Sequence, residues 1–252
     1  MKFIDNLKAD WKTIREQPKG ERFSYFWDYY KWPAIIAVVL VIALIQTTIS
    51  IVNRKETVFT GYILNSTAAT RDEEFLQGFF DYAGLDSAKQ EAAIYSDLYL
   101  QVGQSQKNAE TFQRIMAGIA INDADFIVGQ AEPFRMCAYN TSRMLADLRN
   151  FWDAETLEKY ADRLYYVDGA LLEKLSAPVG ESVNTAGIIY PNPGKPELME
   201  DPIPVGISVG DREGLRSSYY YDPDTVLYLG VITNTQRPEL TKQFIDYLFS
   251  EI

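Results

Sequence analysis

Histidine is absent from this 252-residue chain, and cysteine occurs once, as Cys137. The absence of histidine excludes the usual general base at neutral pH, the Ser–His and Cys–His nucleophile pairs and the commonest zinc ligand. The single cysteine excludes disulfides within the chain and cysteine-rich metal sites. The formal net charge of −11 argues against nucleic acid as a partner. The sequence therefore predicts a protein that is not an enzyme and that carries no cofactor or metal.

Charged residues are also missing from residues 33–52, a run of 20 mostly apolar residues. A helix of that length spans about 30 Å, the thickness of the hydrocarbon core of a bilayer. A buried core helix is the alternative, but such helices are usually shorter and interrupted by polar residues. Aromatic residues crowd positions 23–32, which is typical of an interfacial belt, although packing against a partner helix would also explain them. We expect a transmembrane helix at 33–53, anchored in membrane lipid.

Basic residues set the expected orientation of this helix. Seven lysines and arginines precede the apolar run, whereas only Arg54 and Lys55 follow it closely. The positive-inside rule places the N-terminus in the cytoplasm and the C-terminal part outside the cell membrane. The segment before the run is too long for a cleaved signal peptide, so we expect an uncleaved signal anchor in a single-pass protein.

Three segments follow from this interpretation: a cytoplasmic, amphipathic and juxtamembrane leader at 1–32, the helix at 33–53 and an extracytoplasmic domain at 54–252. The leader places Phe3, Leu7, Trp11 and Ile14 at helical spacing. Residues 56–252 hold 15 basic and 30 acidic side chains, whereas residues 1–55 hold 9 and 5. An acidic exterior favours solubility and repels acidic polymers.

The outer domain alternates strand and helix patterns, which predicts an α/β fold. Strands are expected at 58–64, 93–102, 125–129, 165–167, 187–190, 204–209 and 226–233, and helices at 72–83, 106–121, 131–139, 155–164 and 238–249. Strands separated by helices of ten or more residues indicate βαβ crossovers. We therefore expect a mostly parallel sheet with flanking helices after the transmembrane helix.

Three stretches of the outer domain resemble extracellular solute-binding proteins. They are 122–129 with 144–148, 204–210, and 231–235 with the helix that follows. The leader at 25–32 is similar to that of single-span, uncharacterised membrane proteins of Gram-positive bacteria. The resemblance implies a reduced periplasmic-binding-protein lobe that binds a small-molecule solute.

Open parallel sheets bind ligands at the carboxyl ends of their strands. On the predicted strands, polar side chains at or near those ends include Asn65, Ser66, Gln130, Glu132 and Asn234. The alternative is that these residues cap helices and form turns. Tyr220 and Asp222, in a run of tyrosines and acids at 219–224, could stack on a sugar or peptide; a hairpin loop with its rings folded inward is the alternative.

Two further interpretations stay open. Asp123 and Asp125 are two residues apart at a strand entrance, so repulsion could raise one pKa for acid–base work, although a turn explains them as well. The second alternative is a structural subunit of an envelope or transporter assembly, with a protein partner instead of a solute.

Overall fold

The chain forms two compact units, which divide between Arg54 and Lys55. The structure is a computed structural model that describes residues 18, 22–67, 73–176, 187–220, 222 and 224–250. The apolar positions of the predicted amphipathic leader, Phe3, Leu7, Trp11 and Ile14, lie outside these residues. So do Tyr221 and Pro223 of the tyrosine-rich run.

Among the described residues of the first unit is one long helix, α1, at Arg22–Val52. Residues Lys31–Val52 are long and apolar enough to cross a membrane, and none of them is buried, whereas a core helix would be mostly buried. Thr47 and Thr48 donate their hydroxyls to the carbonyls of Ala43 and Leu44 at 2.8 Å, which satisfies these polar groups within the helix. Helix α1 is therefore a candidate membrane span or signal anchor.

The second unit is an α/β domain, as predicted. Its strands are β1 (Glu56–Leu64), β2 (Gln90–Leu98), β3 (Phe126–Gln130), β4 (Leu164–Asp168), β5 (Pro202–Ser208) and β6 (Leu227–Val231). Its α-helices among the described residues are α2 (Glu73–Ala83), α3 (Ser105–Ala120), α4 (Ala131–Ala138), α5 (Leu148–Phe151), α6 (Ala154–Lys159), α7 (Gly169–Leu175), α8 (Glu213–Tyr219) and α9 (Pro238–Ser250). Short 3-10 helices lie at Ala161–Arg163 and Pro196–Leu198.

The six strands form one mixed sheet in the order β2-β1-β3-β6-β5-β4. Strand β1 pairs in parallel with β2 and β3, whereas the pairs β3–β6, β6–β5 and β5–β4 are antiparallel. The expectation of a mostly parallel sheet is therefore wrong. The prediction assumed crossover helices of ten or more residues, whereas α7 after β4 and α8 after β5 have seven residues each.

The predicted strand at 187–190 is also absent, since these residues form a turn and irregular chain. The segment that follows it runs beside β4, where the Tyr166 amide donates to the Pro193 carbonyl at 2.9 Å.

Side chains on β1 and β3 alternate between two apolar cores, one on each face of the sheet. Phe59, Phe126 and Phe244 pack on the face that α2 and α9 cover, with the Phe126 and Phe244 ring centroids 4.7 Å apart. Tyr62 and Ile127 pack on the opposite face, with residues of α3 and α4. Gly61 permits this packing, because a Cβ there would overlap the Phe126 ring. The alternation fixes which strand residues face each helical layer.

Candidate functional site

The carboxyl end of β1 is the first place where the sequence predicted a ligand. The Asn65 side chain accepts from the Leu100 amide at 2.8 Å and donates to the Leu100 carbonyl at 2.9 Å. Ser66 is buried, and its hydroxyl donates to the Tyr219 carbonyl at 2.7 Å. The structure brings these predicted residues close together, but the hydrogen bonds of their side chains go to backbone groups of Leu100 and Tyr219.

The Tyr220 side chain lies at the same end of β1. Its hydroxyl donates to the Leu64 carbonyl, and the residue is 1% exposed. Burial raises the pKa of the Tyr220 phenol well above its ordinary value. The expectation that tyrosines of the 219–224 run are exposed for stacking is wrong for Tyr219 and Tyr220, because both rings belong to the apolar core.

Asp222 is exposed, and its Oδ1 accepts from the Asp224 amide at 3.0 Å. Gln130 closes β3 opposite Leu227 and directly precedes α4, without a side-chain capping bond. Asp222 therefore stabilises a local turn, as its sequence context allowed. Gln130 lies at the end of a strand.

Asn234 lies at the opposite end of the strands from Asn65 and Gln130. Strand β6 runs antiparallel to β3, with Val231 opposite Phe126 and Leu227 opposite Gln130. The residues after β6 therefore meet the amino end of β3, roughly 15 Å from its carboxyl end. Asn234 Nδ2 donates to the Ile119 carbonyl at 2.7 Å and to Asn122 Oδ1 at 2.6 Å. The expectation that Asn234 shares a site with the other residues fails because it assumed parallel strands.

A charged network fills the amino end of β3. Arg237 contacts Asp125 and Asp123 at 2.9 Å each, through separate guanidinium nitrogens. Asp125 is 1% exposed and also accepts from the Thr60 amide at 2.8 Å and the Thr235 hydroxyl at 2.6 Å. Burial alone would lower the pKa of Arg237, but hydrogen bonds and proximity to the two carboxylates raise it. The paired carboxylates thus share one guanidinium in a structural cluster.

A cleft of about 560 Å³ lies between the N-terminal half of α3 and α4; we call it the α3–α4 cleft. Its volume lies within the roughly 300–1,000 Å³ of small-molecule sites. The lining combines apolar, amide and charged side chains: Val102, Gly103, Ser105, Asn108, Phe112, Glu132, Arg135, Met136, Tyr139, Asn140, Thr141 and Tyr190. Of the predicted site residues, Glu132 lines this cleft.

An ion pair stands on the α4 side of the cleft. Glu132 Oε1 and Arg135 Nη2 are 2.5 Å apart, three residues from each other on one helix. Both side chains are partly exposed, at 42% for Glu132 and 36% for Arg135. The Arg135 guanidinium lies over the Tyr190 ring, with its Cζ 4.5 Å from the ring centroid. This cation–π contact holds the guanidinium against the ring, while part of the Arg135 side chain stays exposed.

Hydrogen bonds and ring contacts support the walls behind this pair. The Tyr139 hydroxyl accepts from the Asp168 amide at 3.0 Å, and its ring meets the Tyr190 ring edge-on at 4.8 Å between centroids. Burial raises the pKa of the Tyr139 phenol. Asn108 bonds both backbone groups of Gln101, at 3.0 and 2.7 Å, which fixes the loop after β2.

The sequence predictions missed Arg135 and Tyr190. A signal existed for Arg135, because a basic residue three positions after Glu132 on a helix lies on the same face. No local signal existed for Tyr190, since it reaches the cleft from a distant loop that was predicted to contain a strand.

The described residues contain no group of three or more Asp, Glu or Cys side chains that could hold a metal ion. Cys137 is buried on α4, and burial raises the pKa of its thiol to about 12, so it remains a neutral thiol at physiological pH.

Comparison of the chain with protein-family models, with curated proteins and with solved structures found no match. The resemblance to extracellular solute-binding proteins therefore stays a prediction.

Proposed function

We propose that this chain is a membrane-anchored, non-catalytic binding module whose ligand site is the α3–α4 cleft. The single observation that carries the proposal is the contrast inside the second unit. The carboxyl end of β1 is occupied by Tyr220, whereas the α3–α4 cleft has volume, accessible charges and aromatic walls. Small-molecule sites combine apolar walls with a few placed polar groups, and this cleft has that composition.

Anchoring and orientation form the second part of the proposal. Helix α1 inserts as a single span, with the N-terminus in the cytoplasm and the α/β domain outside. The length and exposure of α1 support insertion, and the excess of basic residues before the span supports the orientation. Added protease should degrade the domain in intact spheroplasts, and carbonate should leave the full chain in the membrane.

Ligand binding is tested by thermal unfolding of the full chain in nanodiscs against a panel of sugars, amino acids, short peptides and divalent metal ions. We expect at least one compound to raise the midpoint of unfolding, because a ligand that binds only the folded state stabilises it. Met136→Trp would fill the cleft and should abolish that shift. Leu198→Trp is the matched control, because Leu198 is exposed and does not line the cleft.

The proposal fails if no compound of the panel shifts the wild-type midpoint. It also fails if Met136→Trp and the wild type respond equally, because binding would then lie elsewhere.

A second candidate, a structural subunit of an envelope or transporter assembly, is favoured by the outer edge of β2. No strand among the described residues pairs with that edge. Tyr95 on β2 and Ile121 after α3 are exposed, and both line one surface depression. Unpaired edges are sites where another chain can add a strand. A photo-crosslinker at Glu91 in native membranes should then capture one protein partner, while one at Glu239 should capture none.

A further inference from the structure

The two charges of the α3–α4 cleft stand side by side and reach solvent. Glu132 and Arg135 are 2.5 Å apart, and each keeps about two fifths of its side chain exposed. Exposed ion pairs contribute little to stability, because water competes with each partner. A ligand that carries both charges can therefore replace one internal ion pair by two pairs with the protein.

The distance between these charges restricts the ligand. An ammonium that meets Glu132 and a carboxylate that meets Arg135 must lie within a few ångström of each other, as they do on a single α-carbon. Arginine suits the carboxylate, because its planar guanidinium can donate two parallel hydrogen bonds. The Tyr190 ring contacts the Arg135 guanidinium from one side, with Cζ 4.5 Å from the ring centroid.

Apolar side chains line the same cleft next to the charged pair. Phe112 and Met136 are partly buried and pack against the core of this face, and Tyr139 is almost fully buried. Val102 lines the cleft with 74% of its surface exposed, so a ligand could still cover it. These walls suit an apolar substituent.

We propose that the α3–α4 cleft recognises a free α-amino acid with an apolar side chain, with its carboxylate on Arg135 and its ammonium on Glu132. This inference rests on the proposed binding function and narrows it to one chemical class. The side chain of the ligand lies against Phe112, Met136 and Val102.

Isothermal titration of the full chain in nanodiscs with three probes tests the inference. The probes are L-phenylalanine, N-acetyl-L-phenylalanine, which lacks the ammonium, and L-phenylalanine amide, which lacks the carboxylate. We expect phenylalanine to bind and each derivative to bind about tenfold or more weakly, because each loses a hydrogen bond between charged groups. Equal affinity for all three probes, or no binding of phenylalanine, overturns the inference.

Matched variants assign each charge. Glu132→Gln should weaken phenylalanine about tenfold and bring its affinity down to that of the N-acetyl derivative. Arg135→Gln should do the same with respect to the amide. Glu239→Gln is the control, because Glu239 forms an equivalent exposed pair with Lys242 on α9, outside the cleft, and should bind phenylalanine as the wild type does.

The unfolding midpoint of each variant shows that it is folded. Unchanged affinity in Glu132→Gln and Arg135→Gln contradicts the assignment of these residues. If phenylalanine fails but a sugar, peptide or metal ion of the panel shifts the midpoint in a way that Met136→Trp abolishes, the amino-acid inference is wrong and the proposed function stands. If no compound binds, both are wrong.

Discussion

Two clusters of charge in the α/β domain are built from similar residues and differ in their surroundings. At the amino end of β3, Arg237 meets Asp123 and Asp125, and Asp125 is 1% exposed with further bonds to Thr60 and Thr235. In the α3–α4 cleft, Arg135 meets Glu132, and both remain partly exposed beside about 560 Å³ of space.

Charges in the first cluster stabilise the fold, whereas charges in the second are accessible to a ligand. Removing one partner of a buried pair leaves the other charge uncompensated, which is costly. Removing one partner of an exposed pair changes stability little, because water replaces it. We therefore expect variants at the first cluster to lose stability and variants at the second to lose binding.

The largest effect is expected for Arg237→Met. This change leaves Asp125 buried without its cation and should lower the free energy of unfolding by about 3–5 kcal/mol. Urea denaturation of the full chain, followed by tryptophan fluorescence, measures the loss. The control is Asp97→Asn, which removes an exposed pair with Arg114 and should cost at most about 1 kcal/mol. Similar losses in the two variants would remove the distinction between the clusters.

A smaller effect is expected for Tyr220→Phe. The change removes the hydroxyl that donates to the Leu64 carbonyl and should cost about 1–3 kcal/mol, because that carbonyl loses a bond in a buried setting. The exposed Tyr82→Phe is the matched control and should change stability by no more than about 0.5 kcal/mol. Ligand affinity should be unchanged in Tyr220→Phe, and a loss of affinity would return the binding site to the end of β1.

Asp168→Ala tests a partly buried carboxylate that is bonded to backbone amides. Asp168 caps α7 through the Ala170 amide at 3.1 Å and accepts from the amides of Glu200 and Asp201 at 3.2 Å each. Partial burial opposes its charged form, but these backbone donors outweigh burial and lower its pKa from the ordinary 3.8. Loss of the cap and of its bonds should cost about 1–2 kcal/mol at neutral pH.

The cost of Asp168→Ala should depend on pH in one direction. Because the pKa is lower in the folded state, the contribution of the carboxylate is complete above pH 3.8 and is lost as the pH falls through the folded-state pKa. Denaturation curves at pH 7 and in steps below pH 4 should show the wild type and the variant converging. A difference that grows as the pH falls would contradict the assignment.

The smallest effect on stability is expected for Glu132→Gln, at about 0–1 kcal/mol. The same variant should show a clear loss of ligand affinity. Arg237→Met, in contrast, is expected to lose mainly stability. A loss of stability comparable to that of Arg237→Met would show that the cleft pair supports the fold.

Sequence reasoning found the apolar helix and the α/β class because both depend on long, regular patterns. The predicted helix at 106–121 is α3 at Ser105–Ala120, and the predicted strand at 125–129 is β3 at Phe126–Gln130. Strand direction could not be predicted from such patterns, because the same pattern of apolar residues occurs in parallel and in antiparallel strands. No helix was predicted between the strands at 165–167, 204–209 and 226–233, and α7 and α8, which lie there in the structure, are short.

The candidate site was only partly predictable for the same reason. Glu132 was found because it follows a buried strand, and Asn234 was misplaced because β6 was taken as parallel to β3. Tyr220 was taken as exposed because a run of tyrosines and acids carries no information about which ring turns inward. Tyr190 reaches the cleft through tertiary contacts alone.

Hydrogen exchange of the full chain in nanodiscs, with and without the strongest ligand of the panel, tests the location of the site most directly. We expect slower exchange at residues 102–112 and 132–141, which border the α3–α4 cleft, and unchanged exchange at 64–67 and 219–220. Protection confined to 64–67 and 219–220 would contradict it and place the ligand at the end of β1.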